Sequence, residues 1–236
     1  MPTSVFLMNI GNTNTEYSIA KAGIIGVSGI IPTRELTADI VPKGMALAVA
    51  SVVPEASVIL KTLNPFFIST KIRTGVDWSK VDNSTIGADR VANAIHLTHE
   101  FSLPGICIDF GTAITFEAVD GNGYFVGGSI APGRHLLRKA LHDYTAQLPM
   151  IELFDDIPES GCNTLDAMRI GIDGGAIGMV EKQMELLAHQ LGEPAEVIAT
   201  GGDAAFFLKH IPWLKSGGKD FTIKGILKAW ELNCES

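Results

Sequence analysis

The chain has 236 residues, of which 46% are hydrophobic and 19% are charged, and its formal net charge is −8. This composition is typical of an ordered globular protein, and the negative charge argues against a nucleic-acid partner. The apolar run at the start of the chain is too short for a signal peptide or a membrane span. The three cysteines have no paired spacing, which indicates free thiols in a reducing compartment. We therefore expect a cytoplasmic protein with no membrane partner.

In the first half of the chain, short apolar segments alternate with turn-forming residues, which indicates strands. The predicted strands are 4–10, 15–20, 24–30 and 46–53, and the last of them is buried. Apolar residues at helical spacing predict a helix over 87–100.

The second half begins with a similar series. The predicted strands are 105–109, 115–119, 124–130 and 196–200, and the predicted helical segments are 134–148, 163–191, 203–210 and 225–233. The segment Asp120–Gly123 has the composition of a hairpin turn. Glycines cluster in the early part of the long helical segment, at Gly171, Gly174, Gly175 and Gly178. They predict close packing against another backbone.

Residues 9–30 align without a gap on residues 109–130, and the identities fall at glycine, threonine and isoleucine positions. Two interpretations remain open at this point: two unrelated three-stranded meanders, or a duplicated domain. In a duplicated domain, the loops after the first strand of each copy would face each other across a cleft. Their amides and hydroxyls would donate hydrogen bonds to a triphosphate chain.

Three Gly-rich loops follow predicted strands in this order: Asn9-Ile-Gly11-Asn12-Thr13, Asp109-Phe-Gly111-Thr112-Ala113 and Thr200-Gly201-Gly202-Asp203. This layout resembles that of the actin-like ATPase and sugar-kinase superfamily. In that superfamily the first two loops bind phosphate and the later glycine pair flanks the adenosine.

Further segments narrow the resemblance to one family. These are Ser51–Pro54, Gly87-Ala88-Asp89-Arg90, the run Gly127–Gly133 (GGSIAPG) and Gly161-Cys-Asn-Thr164. Over residues 5–230 the series resembles the type III pantothenate kinases. The resemblance implies an α/β fold of two duplicated actin-like (ribonuclease H-like) domains, 1–103 and 104–236. Each would be a mixed sheet flanked by helices, with ATP in the cleft between them.

The activity implied by the resemblance is ATP-dependent phosphorylation of pantothenate to 4′-phosphopantothenate, the first step of coenzyme A biosynthesis. The implied cofactors are ATP, Mg²⁺ and a monovalent cation, K⁺ or NH₄⁺. The implied partners are pantothenate and a second copy of the chain in a homodimer.

The resemblance also implies roles for individual residues. Asp89 would be the catalytic base that accepts the proton of the pantothenate hydroxyl, and Arg90 would bind pantothenate with its fork of donors. Asp109 would bind the cation. The implied ATP-binding residues are Asn9, Gly11, Asn12, Thr13, Gly111, Thr112, Gly201 and Gly202. The implied substrate-binding residues are Gly87, Ala88, Asp89, Arg90 and Thr164.

The sequence departs from the family pattern at two acidic positions. Family members usually carry Asp where this chain has Asn9, and Asp where it has Glu117. Asn9 keeps an oxygen acceptor but loses the negative charge, so a divalent cation would be held less tightly there. Two alternatives therefore stay open: a catalytically impaired or regulatory homologue that still binds nucleotide or pantothenate, and a kinase of the superfamily with another acceptor.

Overall fold

The computed structural model describes residues 4–234, which divide into two compact units. The first unit contains the described residues up to Gly105, together with 119–127 and 218–234. The second unit contains 106–118 and 128–217. Because the units interleave along the chain, the division into domains at residue 103 stays a prediction.

The strands are separated by the Gly-rich and turn-forming segments of the sequence. They are β1 (Ser4–Ile10), β2 (Asn14–Lys21), β3 (Ile24–Pro32), β4 (Ala46–Ser51), β5 (Phe66–Phe67), β6 (Gly105–Phe110), β7 (Ala113–Val119), β8 (Phe125–Gly127), β9 (Ile130–Pro132), β10 (Glu196–Thr200) and β11 (Lys215–Ser216). The helices are α1 (Pro54–Leu60), α2 (Ala88–Glu100), α3 (Arg134–Asp143), α4 (Thr164–Arg169), α5 (Gly175–Leu191), α6 (Ala204–His210) and α7 (Phe221–Cys234). In the described part of the chain, no helix is long and apolar enough to cross a membrane.

The two sheets have the same strand order. In the first, β3-β2-β1-β4-β5, the hairpin strands β1, β2 and β3 are antiparallel, while β4 and β5 run parallel to β1. In the second, the order is β8-β7-β6-β10-β11, with β9 also paired to β7. Each strand of the first sheet thus has a counterpart in the second. The sequence repeat therefore marks a duplicated topology, and the alternative of two unrelated meanders is wrong.

Apolar residues on alternate positions of β1 bury one face of the first sheet. Phe6, Met8 and Ile10 form a cluster with Ala56 and Leu60 of α1. On the other side of the first unit, α2 and α7 pack so closely that a Cβ on Gly225 would overlap the backbone of Ala92. In the second unit, Phe110 at the end of β6 stacks on Phe207 of α6, with ring centroids 4.0 Å apart.

Four predicted segments differ from the structure. The strand expected over 124–130 is broken into β8 and β9 at Gly127, whose φ of 125° is unfavourable for other residues. The helix expected over 134–148 ends at Asp143, and the last helix begins at Phe221 rather than at 225. The long helical segment is interrupted by a π-helical stretch, Ile170–Gly174.

The glycines of this long helical segment do not pack as predicted. Beyond its chain neighbours and the backbone of its own helix, a Cβ added to any of the four glycines at 171, 174, 175 and 178 would have no atom within 4 Å. In the described chain, the prediction of close contact with another backbone is therefore wrong.

Candidate active site

The first Gly-rich loop joins β1 to β2 and leaves polar groups exposed at its tip. Gly11 N donates to Asn14 O at 3.0 Å, and this bond closes the turn. The Thr33 hydroxyl donates to Gly11 O at 2.7 Å, while Thr33 N donates to Thr13 O at 2.9 Å. Asn12 and Thr13 are exposed, so this part of the loop faces solvent.

The residue at the loop entrance, Asn9, is paired across the sheet with Glu16. The Asn9 amide donates a hydrogen bond to the Glu16 carboxylate, and this bond lowers the pKa of Glu16. Burial has the larger effect and raises that pKa, as does the negative charge of Asp220. The Oδ1 atom of Asn9 is buried and has no hydrogen-bond partner.

The Gly87–Arg90 segment lies beside the end of β1. Val52 N donates to Ile10 O at 3.1 Å, and Val52 Cγ1 lies 3.2 Å from the position that a Cβ on Gly87 would occupy. The segment and the first loop therefore meet at the same edge of the first sheet, where the carboxyl ends of the parallel strands β1 and β4 lie.

Asp89 occupies the first turn of α2, where the helix dipole favours a negative charge. Its Oδ1 atom accepts a hydrogen bond from Arg90 N at 2.7 Å. Burial nevertheless raises the pKa of Asp89, and it outweighs the opposite effects of that bond and of the Arg90 charge. A carboxylate with a raised pKa accepts a proton more readily than an ordinary aspartate.

In the second unit, the loop after β6 is in contact with two other Gly-rich segments. Gly133 N donates to Thr112 O at 3.0 Å, and a Cβ on Gly133 would lie 2.7 Å from the same oxygen. A Cβ on Gly201 would lie 2.6 Å from Phe110 N, and Gly201 has a φ of +95°. Only glycine fits both positions, so the three segments are held together by backbone contacts.

Asp109 enters this second loop from β6 and is partly buried. A Cβ on Gly201 would also collide with its Oδ1 atom, which places the Asp109 carboxylate directly against the glycine pair. The glycine at 202 has no atom near its Cβ position and is exposed. A flat ligand could therefore approach this backbone closely.

A buried arginine that the sequence analysis did not single out ties these segments together. Arg134, the first residue of α3, is 2% exposed. Its Nε donates to Asp173 Oδ1 at 2.8 Å, its Nη1 to Asp203 Oδ1 at 2.8 Å and its Nη2 to Phe154 O at 2.7 Å. The guanidinium also stacks on the ring of Phe206 at 3.4 Å. Since Asp203 directly follows Gly202, Arg134 links the glycine pair to the start of α3.

The pKa of Asp203 is raised chiefly by burial, although the charge of Arg134 opposes this effect. The position of Arg134 next to Gly133 was the only signal in the sequence. A charged residue at the start of an amphipathic helix is usually exposed, so the pattern gave no reason to expect burial.

Two further predicted positions lie elsewhere in the second unit. Thr164 is the exposed first residue of α4, and the preceding Asn163 caps this helix by accepting a hydrogen bond from Asp166 N at 3.0 Å. Glu117 is fully buried on β7, and its charge raises the pKa of the buried Cys107 thiol, after burial itself. All three cysteines are free thiols.

The predicted site residues thus fall into two groups. In the first unit, the structure brings Asn9 and the loop 11–13 to the same sheet edge as 87–90. In the second unit, it brings 109–112 into contact with Gly201. In the described residues, no group of three or more His, Cys, Asp or Glu side chains forms a metal site.

Comparison with known proteins finds similarity over nearly the whole chain. A family model described as type III pantothenate kinase matches residues 5–186. A type III pantothenate kinase of Acidobacterium capsulatum is 32% identical over 228 residues, which covers 94% of this chain and 80% of that protein. One of Akkermansia muciniphila is 32% identical over 237 residues, covering 96% of this chain and 98% of that protein.

Solved structures share the fold at low sequence identity. A Baf family protein from Campylobacter jejuni has a TM-score of 0.69 and 19% identity, covering 96% of this chain and 98% of that one. The activator of 2-hydroxyisocaproyl-CoA dehydratase from Clostridium difficile, with bound ADPNP, has a TM-score of 0.54 and 15% identity, covering 96% and 92%. The predicted α/β class with two duplicated actin-like halves is confirmed.

Proposed function

Because the chain belongs to the type III pantothenate kinase family, we propose that it transfers the γ-phosphoryl group of ATP to the primary hydroxyl of pantothenate. The products are ADP and 4′-phosphopantothenate, and the reaction is the first step of coenzyme A biosynthesis. The observation that carries the proposal is the family match over residues 5–186, because this range includes both phosphate loops and the segment at the start of α2.

The two loops after β1 and β6 would bind the phosphates. Amides and hydroxyls of Asn12, Thr13, Gly111 and Thr112 are of the kind that donates to phosphate oxygens. Since this reaction needs positioning and charge neutralisation more than covalent chemistry, a loop held rigidly before the substrate arrives lowers the barrier. The contacts of Gly133 and Gly201 give the second loop that rigidity.

The glycine pair at 201–202 would flank the adenosine. Gly202 is exposed and has no atom near its Cβ position, so a base or ribose could lie directly against the backbone. Arg134 acts here through Asp203, which it holds by a charged hydrogen bond. It fixes the backbone after the glycine pair without needing to touch the nucleotide.

Asp89 would act as the general base. In the transfer, the pantothenate hydroxyl gives its proton to the Asp89 carboxylate, its oxygen bonds to the γ-phosphorus, and the bond to the leaving ADP oxygen breaks. The raised pKa of Asp89 suits this role, because a stronger base takes up the proton of the hydroxyl more readily. Gly87, Ala88, Arg90 and Thr164 would bind pantothenate.

The family resemblance implies Mg²⁺ with ATP and a monovalent cation, K⁺ or NH₄⁺. Asp109 and the Asn9 carbonyl offer oxygen ligands at the two loop entrances, and the buried Asn9 Oδ1 has a lone pair without a donor. These hard oxygen ligands fit Mg²⁺ or K⁺. The cations would neutralise phosphate charge.

We also propose, from the family resemblance, that the protein is a cytoplasmic homodimer. Light scattering of the purified chain at several concentrations tests the dimer directly, and a monomeric mass at all of them would contradict it. The comparisons give no support to the alternative of a regulatory homologue.

The decisive experiment measures ADP release with Mg-ATP and K⁺, with and without pantothenate, and identifies the product by mass spectrometry. Asp89→Asn should lower kcat by about 10²–10⁴-fold, the usual contribution of a general base. Asp39→Asn, at an exposed position in the same unit, is the matched control and should behave like the native chain. ATP hydrolysis that does not respond to pantothenate would point instead to another acceptor.

A further inference from the structure

The position at which this chain lacks the family's acidic residue has a carboxylate directly beside it. Asn9 and Glu16 are opposite each other in the antiparallel pair of β1 and β2, so their side chains lie on the same face. The pair is adjacent to Ile10 and Thr15, which are the last paired residues before the loop that begins at Gly11. Glu16 is therefore as close to the first phosphate loop as the side chain of Asn9 itself.

The hydrogen bond between these residues fixes where the charge lies. The Asn9 amide nitrogen donates to the Glu16 carboxylate, and the two residues are direct cross-strand partners, so the ends of their side chains are neighbours. An aspartate at position 9 would place its negative charge within about 3 Å of the same point. The orientation of the amide leaves Asn9 Oδ1 buried and without a partner.

A second negative charge acts on this pair. The influences on the pKa of Glu16 are burial, the Asn9 hydrogen bond and the negative charge of Asp220, which precedes α7. Among the described residues, no cationic side chain figures among them. A partly buried carboxylate, a second carboxylate nearby and an orphaned carbonyl oxygen together form an oxygen-rich environment that a cation would stabilise.

We propose that Glu16 supplies, from the neighbouring strand, the carboxylate that is missing at position 9, and that together with Asn9 Oδ1 it binds the divalent cation that accompanies ATP. The inference rests on the proposed kinase function. Two protein oxygens do not make a complete cage, but Mg²⁺ in kinases is held by one or two carboxylates together with substrate phosphates and water. The site is thus complete only when nucleotide is bound.

The proposal predicts that replacing Asn9 by aspartate alone does not restore the cation site. Asn9→Asp alone would bring two carboxylates within hydrogen-bond distance, and like charges this close cannot both stay ionised without a cation between them. Glu16→Gln alone removes the charge. Only the double variant Asn9→Asp/Glu16→Gln restores one carboxylate and one amide, with their places exchanged.

The test measures Mn²⁺ binding by electron paramagnetic resonance of the free ion, with ADP present and pantothenate absent. Glu16→Gln should weaken Mn²⁺ binding in the presence of ADP by about tenfold or more, since affinity follows the ligand charge. The double variant should recover most of that loss. Glu55→Gln, at an exposed position on α1, is the matched control and should leave binding unchanged. Without ADP, Mn²⁺ binding should be weak in all variants.

The inference is overturned if Glu16→Gln, with a native circular dichroism spectrum, binds Mn²⁺ as tightly as the native chain in the presence of ADP. It is also overturned if the double variant binds no better than Glu16→Gln. If Glu16→Gln does not fold, the double variant by itself tests the proposal. Loss of Mn²⁺ binding in the double variant would then contradict the idea that the carboxylate can stand at either position 9 or position 16. Failure of the kinase proposal is distinguishable, since it appears as absent pantothenate-dependent turnover in the native chain whatever the Mn²⁺ result.

Discussion

The loop after β1 and the loop after β6 occupy corresponding places in two sheets of the same strand order, yet different interactions hold them. The first loop is fixed largely by Thr33, whose hydroxyl donates to Gly11 O and whose backbone N donates to Thr13 O. The second is fixed by backbone packing against Gly133 and Gly201. A duplicated topology therefore preserves the position of a loop without preserving what makes it rigid.

The two loops also differ in the strand that carries the acidic side chain. In the second unit, the carboxylate stands on the entering strand as Asp109. In the first unit, the entering strand carries Asn9 and the carboxylate stands on the returning strand as Glu16. In the sequence repeat, the residue that corresponds to Glu16 is Phe116, which is fully buried. The second loop therefore has no counterpart of the Asn9–Glu16 pair.

The largest effect on stability is expected where the second unit depends on buried charge. Arg134→Met should lower the free energy of unfolding by about 3–5 kcal/mol, because it leaves the carboxylates of Asp173 and Asp203 without their cation. Urea unfolding measures this change. Lys139→Met removes an exposed ion pair of the same helix and should cost less than about 1 kcal/mol. Equal losses in both variants would contradict the assigned role of Arg134.

The stability of the two units should depend differently on pH. Burial lowers the pKa of His96 on α2 to about 4, and the charges of Lys224 and His99 add to this effect. Below its ordinary pKa of 6.5, the unfolded chain takes up the proton before the folded chain does. The stability of the first unit should therefore fall as pH drops from about 6.5 to about 4, by at most about 3 kcal/mol.

Urea unfolding at pH 7.5 and pH 5 measures this loss, and the tryptophans report on the units separately. Trp78 and Trp230 belong to the first unit and Trp213 to the second. In His96→Gln the pH-dependent loss should shrink, whereas His142→Gln, at an exposed site on α3, should retain it. An unchanged pH dependence in His96→Gln would assign the loss to another group.

Matched glycine substitutions compare the loops directly. Gly201→Ala forces a φ of +95° on alanine and overlaps Phe110 N, so we expect about 1–3 kcal/mol of strain and about tenfold or greater loss of ADP affinity. At Gly11 the nearest atom to a new Cβ is Asn14 O at 3.2 Å, so Gly11→Ala should cost less. Calorimetric titration with ADP measures both, with Gly178→Ala on α5 as the control. A larger loss for Gly11→Ala would reverse the comparison.

The smallest effect is expected at the side chain that holds the first loop. Thr33→Val removes the hydroxyl that bonds to Gly11 O but keeps the shape and the backbone bond to Thr13, so about 1 kcal/mol of stability should be lost. Thr37→Val, at an exposed position without a side-chain cap bond, should be near neutral. Thermal unfolding compares the two, and no difference between them would mean that the hydroxyl does not stabilise the loop.

Much of the fold was predictable because its signals are local. Alternating and continuous apolar runs located β1, β2, β4, β6 and β10 to within two residues, and the repeat predicted the shared topology. The ends of elements were harder, since the break at Gly127 depends on how two short strands pair with β7. The open face of Gly171 and Gly175 also depends on tertiary packing, because composition does not indicate what lies opposite a glycine.

The sequence by itself determined the resemblance to the family, the repeated succession of strand, loop and hairpin, and the residue types of the loops, because these follow from motifs and periodicity along the chain. Only the tertiary structure decided that Arg134 is buried among carboxylates from distant segments, and that the carbonyl of Asn9 is left without a donor. It also decided that Glu16 bonds to Asn9, since strand register and side-chain direction settle which charge is desolvated. A charged residue in a sequence looks the same whether it is solvated or buried, and the difference in its chemistry comes from its neighbours in space.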